Sequence, residues 1–456
     1  MPRGRSFADT MDDLLIDAAQ RAVRYRRSVG ERRVAPTQET IARLDAFREP
    51  LSQRGASAAD VISMLDDLGS PATVATAGGR YFGFVNGSSL PVTVAANWLA
   101  TAWDQNAALA VMSPTAAVLE EVALGWLVDL FELPPETAGA FVTGATMASF
   151  AALAAARHAQ LSGVGWDVEA DGLFGAPPIT VVLGEEAHAS IGRALALLGL
   201  GRERVVRVRA DGQGRLRADA LPKVTGPAIV CAQAGNVNTG AFDPLDALCD
   251  WAAVNGAWVH VDGAFGLWAA ASPRHGYLTR GLGRADSWAT DAHKWLNVPY
   301  DCGIAFVRDD ASLRASMALS AAYLPPSGTR DPMHYGPDAS RRARGVDVWA
   351  ALKFLGRDGV AELVERCCRH AARMAAELKS AGFDVLNDVV LNQVLVDFGG
   401  DARTLQAIDA IQRDGTCWAG VSKWHDRTVM RVSVSSWATT DDDVDRAVRA
   451  IVRLAG

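Results

Sequence analysis

The 456-residue chain is too long for one small core and fits two or three structural units around a large apolar interior. With 49% apolar residues, 21% charged residues and a net charge of -7, it has the composition of an ordinary globular protein. That balance gives no reason to expect nucleic acid or an anionic membrane as a partner. The start, "MPRGRSFADTMDDLLIDAAQ", interrupts its apolar positions with acids, which argues against a signal peptide, and no run of 18 uncharged apolar residues occurs. The six cysteines form no C-x-x-C pair and sit in apolar surroundings, so buried free thiols are expected, with no metal site, in a cytoplasmic protein.

In chain order, apolar spacing is helical from Phe7 to about Leu65, with a restart near Pro36-Thr37, and residues 1–78 read as a helical arm and linker. Residues 79–330 alternate helical patterns with short apolar runs: "AFVTGATMASF", "PPITVVLGEEAHASI", "GPAIVCAQAGN", "GAWVHVDGA", "ADSWATDAHKW" and "CGIAFVRD". Such alternation predicts an α/β unit with a mostly parallel sheet covered on both faces. Residues 331–456 read as a smaller α+β unit. It starts with two helices split at Gly356 and continues with strands in "DVLNDVVLNQVLVDF" and "TVMRVSVSSW".

In an α/β sheet, ligands lie at the carboxyl ends of the strands. "VVLGEEAHAS" ends at His188, "IVCAQAGNVNTG" at Asn236 and Asn238, "WVHVDGAFG" at Asp262, and "SWATDAHKW" at His293 and Lys294. In "VTGATMASF" a strand turns into an alanine-rich helix, placing backbone N–H groups and the Thr146 hydroxyl where a phosphate can dock. Each residue alone has an ordinary structural reading, as a turn former, a helix cap or a surface lysine. Together, a lysine, an acid, a flat side chain and a phosphate cradle are the parts that pyridoxal 5'-phosphate requires. A lysine placed in so apolar a segment is costly as a free ammonium, and a Schiff base removes that charge.

The segment "DAHKWLNVPYDCG" resembles the lysine motif of the group II pyridoxal-phosphate-dependent decarboxylases, which include aromatic amino acid, glutamate, histidine and diaminobutyrate decarboxylases. The resemblance extends to "VTGATMASFAALAAARH", "EEAHASIGRA", "VHVDGAFG" and "SRRARGVDVWAALKFLG". It implies fold type I, the aspartate aminotransferase architecture. It also implies roles: Ala145, Thr146 and His293 at the phosphate, His188 stacked on the ring, Asp262 at the pyridine nitrogen, Ala264 at the other ring face and Lys294 as the Schiff-base lysine. Asn236 joins this cofactor-binding set. Family members close a loop tyrosine over the site; here Tyr335 is the candidate proton donor and His334 its rival, both offset from the family's spacing. Substrate contacts are expected from Phe84, Asn86, Gln105 and Asn106, beside Tyr81 and Phe82, with Ala108 where the family places an aromatic residue from the neighbouring subunit. Arg431 falls where fold type I aminotransferases bind the α-carboxylate.

The implied activity is decarboxylation of an L-amino acid to the amine and CO2 by a homodimer with shared active sites, acting on a neutral, aromatic or amide-tolerant substrate, with a basic one next. A second reading keeps the cofactor but changes the reaction to aldehyde-forming oxidative decarboxylation, transamination or carbon–carbon cleavage. A nucleotide-dependent oxidoreductase built on "VTGAT" is disfavoured, because the later glycines of that motif are missing.

Overall fold

The computed structural model describes residues 7–319 and 329–456. Seven strands form the main sheet: β1 (Ala138–Val142), β2 (Thr180–Gly184), β3 (Val205–Val208), β4 (Ala228–Gln233), β5 (Trp258–Asp262), β6 (Ser287–Asp291) and β7 (Gly303–Val307). Their order is β1-β7-β6-β5-β4-β2-β3. Pairings from β3 through β6 are parallel, and β7 runs antiparallel to both its neighbours. β4, β5, β6 and β7 are buried along their whole length, as expected of strands covered on both faces.

One cover is the helix Ala145–Ser162, where Ala148, Ala151, Ala152, Ala154, Ala155 and Ala156 are at most 1% exposed. Alanine is the strongest helix former, and its short side chain lets the helix axis lie close to the sheet. The other face carries Phe131, Trp268, Trp288 and Phe306, with Phe131 edge-on to both Trp268 and Phe306.

The second sheet is antiparallel, in the order β10-β11-β9-β8, from β8 (Asp384–Val385), β9 (Gln393–Asp397), β10 (Gly420–Trp424) and β11 (Arg427–Ser433). Helices Asp401–Asp414 and Asp441–Ala455 accompany it; the latter opens with a capping box between Thr440 and Asp443. The run Arg344–Ser380 breaks at Gly356 (φ 60°), where the sequence places the split. Two strands lie outside the sequence reading, β3 and β10. Both are edge strands with largely exposed residues, and arginine or lysine interrupts their apolar pattern.

The helix Phe7–Ser28 is anchored through Arg21, which binds Ser63 and Asp66, and through Arg26, which donates to Ser89 O. All six cysteines are buried and unpaired. Among the described residues, no helix is long and apolar enough to cross a membrane. The first part of the loop stretch "YLPPSGTRDPMHYGPDASRR" lies outside the described residues.

Candidate active site

Because β2, β4, β5 and β6 are parallel, their carboxyl ends open on one side of the sheet, and β1, antiparallel to β7, ends there too. After β1 the chain turns at Gly144 into the helix Ala145–Ser162, which has no side-chain cap from Gly144. β7 starts directly beneath: a Cβ on Gly303 would stand 2.4 Å from the Gly144 backbone, so only glycine lets the two pass. The first helical N–H, from Ala145, donates to Asp291 Oδ1 at 2.6 Å. The Thr146 hydroxyl in the same turn makes no hydrogen bond to another described residue.

Asp291 ends β6, and its Oδ2 lies 3.0 Å from Lys294 Nζ and 3.6 Å from His293 Nε2. The His293 ring is fixed by the Cys302 N–H, which donates to Nδ1 at 3.0 Å, and by the Tyr300 ring stacked at 4.3 Å. The Tyr300 hydroxyl donates to Asn86 Oδ1 at 2.8 Å. Burial lowers the pKa of His293, against the opposing charge of Asp291. The turn carrying Lys294 is held by Asn297, in the left-handed region at φ 57°. Asn297 Oδ1 accepts from the Ser88 and Trp437 N–H groups, while Nδ2 donates to Trp295 O and Ser435 O. Gly87 packs against the same turn so closely that a Cβ there would lie 1.8 Å from Lys294 O.

Asp262, at the end of β5, is buried and accepts from the Ala264 N–H at 3.1 Å; the Ala264 carbonyl in turn accepts from the Asp291 N–H at 2.9 Å. Burial raises the pKa of Asp262, opposed first by His188 and then by Lys294. His188 caps the helix Ala189–Leu197, with Nδ1 2.7 Å from Ser190 Oγ, and one side of it faces solvent. The surrounding protein nevertheless lowers its pKa, with the Asp262 charge pulling the other way and Lys294 and Arg431 adding to the decrease. Such a ring is neutral and flat.

Lys294, Asp262, His188, Ala145, Thr146, His293, Ala264 and Asn86 therefore gather at one end of the sheet. Asn236 lies nearby, but its amide is already used: Oδ1 accepts from the Asn238 and Thr239 N–H groups and Nδ2 donates to Glu186 O. Phe84 is 62% exposed at φ 53° and leans on Trp418, on which Tyr81 also stacks at 5.0 Å. Phe82 instead belongs to the core. Gln105 and Asn106 are elsewhere in the chain: Gln105 donates to Trp103 O, and Asn106 Oδ1 accepts from the Arg341 N–H. Arg341 and Arg330 converge on the buried Glu120 at 2.9 and 3.2 Å, fixing the 330–341 segment. Tyr335 lies under the Arg330 guanidinium, beside Asp310. Asp310 follows the far end of β7, so within its own chain Tyr335 is held away from Lys294.

The sequence reading did not single out Asp291, Tyr300, Asn297 or Trp418. The first three stand within the quoted lysine motif, whereas Trp418 comes from more than a hundred residues further on. Arg431, opposite Gly420 in β11, makes no ion pair or side-chain hydrogen bond among the described residues, and burial lowers its pKa.

These residues suit pyridoxal 5'-phosphate. A helix N-terminus and a lysine already converge on one anionic group, the Asp291 carboxylate. The buried Asp262, accepting a single described hydrogen bond, would be completed by a protonated ring nitrogen. The fold and this lysine, acid and histidine arrangement define a fold type I pyridoxal 5'-phosphate enzyme.

The family model "Pyridoxal-dependent decarboxylase conserved domain" matches residues 72–398. An L-2,4-diaminobutyrate decarboxylase of Rhizobium meliloti (strain 1021) is 31% identical over 380 residues, 78% of this chain and 72% of that one. An aromatic-L-amino-acid decarboxylase of Bacillus atrophaeus is 29% identical over 315 residues, 66% of this chain, and the match spans only 63% of that protein's length. The crystal structure of Oryza sativa TDC with PLP and tryptamine superposes with a TM-score of 0.90 at 22% identity, covering 100% of this chain and 99% of that one. The chain belongs to the pyridoxal-dependent decarboxylase family, whose members are carboxy-lyases that use pyridoxal 5'-phosphate.

Proposed function

We propose that this chain decarboxylates a neutral or aromatic L-amino acid to the amine and CO2, working as a homodimer in the cytoplasm. The observation that carries this is the placing of Lys294 Nζ, 3.0 Å from Asp291 beside the helix N-terminus, in the same cluster as Asp262 and His188. When bound, the cofactor supplies the sink for the electron pair left behind as CO2 departs. The protein supplies position and electrostatics. The Ala145 N–H, the Thr146 hydroxyl and His293 hold the phosphate end. Asp262 keeps the ring nitrogen protonated, and its raised pKa falls once a cation faces it. His188, neutral at physiological pH, covers one ring face and Ala264 the other. Lys294 would hold the cofactor through its side-chain amine, and that amine, when free, would carry protons within the site.

The substrate side chain would lie along Tyr81, Phe84 and Trp418, whose rings form a continuous apolar wall. Asn86 is tied to Tyr300, the ring stacked on His293. The unpaired Arg431 guanidinium steers the substrate carboxylate. Gln105 and Asn106, together with Tyr335, which its own chain keeps from Lys294, would complete the site of the second chain, with Tyr335 delivering the proton.

The test is direct. Protein supplied with pyridoxal 5'-phosphate should absorb near the visible and be labelled by borohydride on the peptide containing Lys294. It should release CO2 and amine in equal amounts from an aromatic or neutral amino acid. Labelling without CO2 release, or aldehyde and ammonia in place of amine, would move the reading to another reaction of this cofactor.

A further inference from the structure

Asp291 accepts the helix N–H that a docking phosphate would also need. It is buried, 3% exposed, at the end of β6. One oxygen takes the Ala145 N–H at 2.6 Å, and the other faces Lys294 Nζ at 3.0 Å. Ala145 and Asp291 are 146 positions apart, so the contact belongs to the assembled fold. The helix Ala145–Ser162 has no acid in its first turn and no side-chain cap from Gly144. Asp291 is therefore the negative charge that the helix N-terminus would otherwise lack.

A phosphate group docking on this turn needs the same N–H and brings about two negative charges of its own. One N–H cannot serve both groups at full strength, and two anions at this distance repel. We infer that Asp291 is an internal stand-in for the cofactor phosphate: it binds the helix end and the Lys294 amine, and it must release the Ala145 N–H for the phosphate to dock. In this role Asp291 is a positioning residue that stabilises the cofactor-free protein and limits its affinity for the cofactor. The inference rests on the pyridoxal 5'-phosphate reading above and adds a competition between the protein's own carboxylate and the ligand.

Asp291→Asn keeps the size of the side chain and a carbonyl oxygen but removes the charge. Absorbance titrations of cofactor-free parent and variant with pyridoxal 5'-phosphate, and with pyridoxal, which lacks the phosphate, separate the phosphate contribution from any change in Lys294 reactivity. The ratio of the two affinities should rise about tenfold or more in the variant, while its cofactor-free form melts at a lower temperature than the parent. An unchanged or smaller ratio overturns the inference. A structure of the parent with the cofactor bound gives a second measurement, independent of how the variant folds: Asp291 Oδ1 should have left the Ala145 N–H, and a retained contact beside the bound phosphate overturns the proposal. A parent protein that binds neither pyridoxal 5'-phosphate nor pyridoxal overturns the cofactor reading itself, and this inference with it.

Discussion

At the scale of single residues, burial decides which groups carry charge. His260, fully buried in β5, bridges Ser287 and Ser149 through its two ring nitrogens, and burial pushes its pKa down to about 3. An unfolded histidine protonates near pH 6.5, so below that pH the unfolded chain binds a proton that the folded chain refuses. Stability is therefore lost as the pH falls from about 6.5 toward 3 and is flat above that window. The loss from this residue should reach about 2 kcal/mol at pH 5. Denaturant titrations at pH 7 and pH 5 on the parent and on His260→Gln should show that this part of the acid loss disappears in the variant; equal losses would assign it to other groups. Asp243, buried and pushed up to about 6, works in the opposite direction, so the difference between the two proteins carries the information. Lys294, Asp262 and His188 were legible in the sequence because polar groups ending apolar strands have few reasons to be there. Asp291 has the same signature. Its partner, however, is a backbone N–H on another element, and spacing along the chain does not encode that pairing.

At the scale of elements, the main sheet was readable wherever strands are buried on both faces. β3 and β10 were not, because an edge strand needs little apolar surface and the sequence marks it only weakly. Loops were harder still. The 105–108 segment reads as carrying substrate contacts and the 331–341 segment as carrying the proton donor, and in the chain the two bind each other, through Asn106 with Arg341 and through Ala108 with Met333. Among the described glycines, Gly87 leaves the least room for a side chain, since a Cβ there would lie 1.8 Å from the Lys294 carbonyl oxygen. Gly87→Ala should force the two segments apart, lowering stability by about 2 kcal/mol or more and shifting Lys294 from its partners. Thermal melts together with the borohydride-labelling yield at Lys294 would check both effects, and a fully labelled variant of parental stability would contradict the geometry.

At the scale of the whole molecule, exposed apolar side chains include Trp98, Leu99, Trp103, Val111, Met112 and Val118, on the same stretch as Gln105 and Asn106. A surface of that kind fits a chain that pairs with a second copy. Sedimentation should give a dimer. If the sites are shared, two inactive proteins, Lys294→Ala and Asn106→Ala, should complement each other when unfolded and refolded together. Random pairing makes about half the dimers mixed, each with one intact site, so about a quarter of parental activity should return. No recovery, or an active monomer, would count against shared sites.

The hydrogen bonds of Asn297 also bear on how the protein comes into being. They join the lysine turn to Ser88 on one side and to Ser435 and Trp437 on the other, across sequence separations of 209, 138 and 140 residues, and Trp437 closes back on Ser89 across 348. Contacts so distant in sequence form late, because the entropy of closing long loops must be overcome before they give any return. The reactive amine is thus assembled near the end of folding. A growing chain that has finished its main sheet but not yet reached residue 437 lacks the Ser435 and Trp437 contacts that hold the lysine turn.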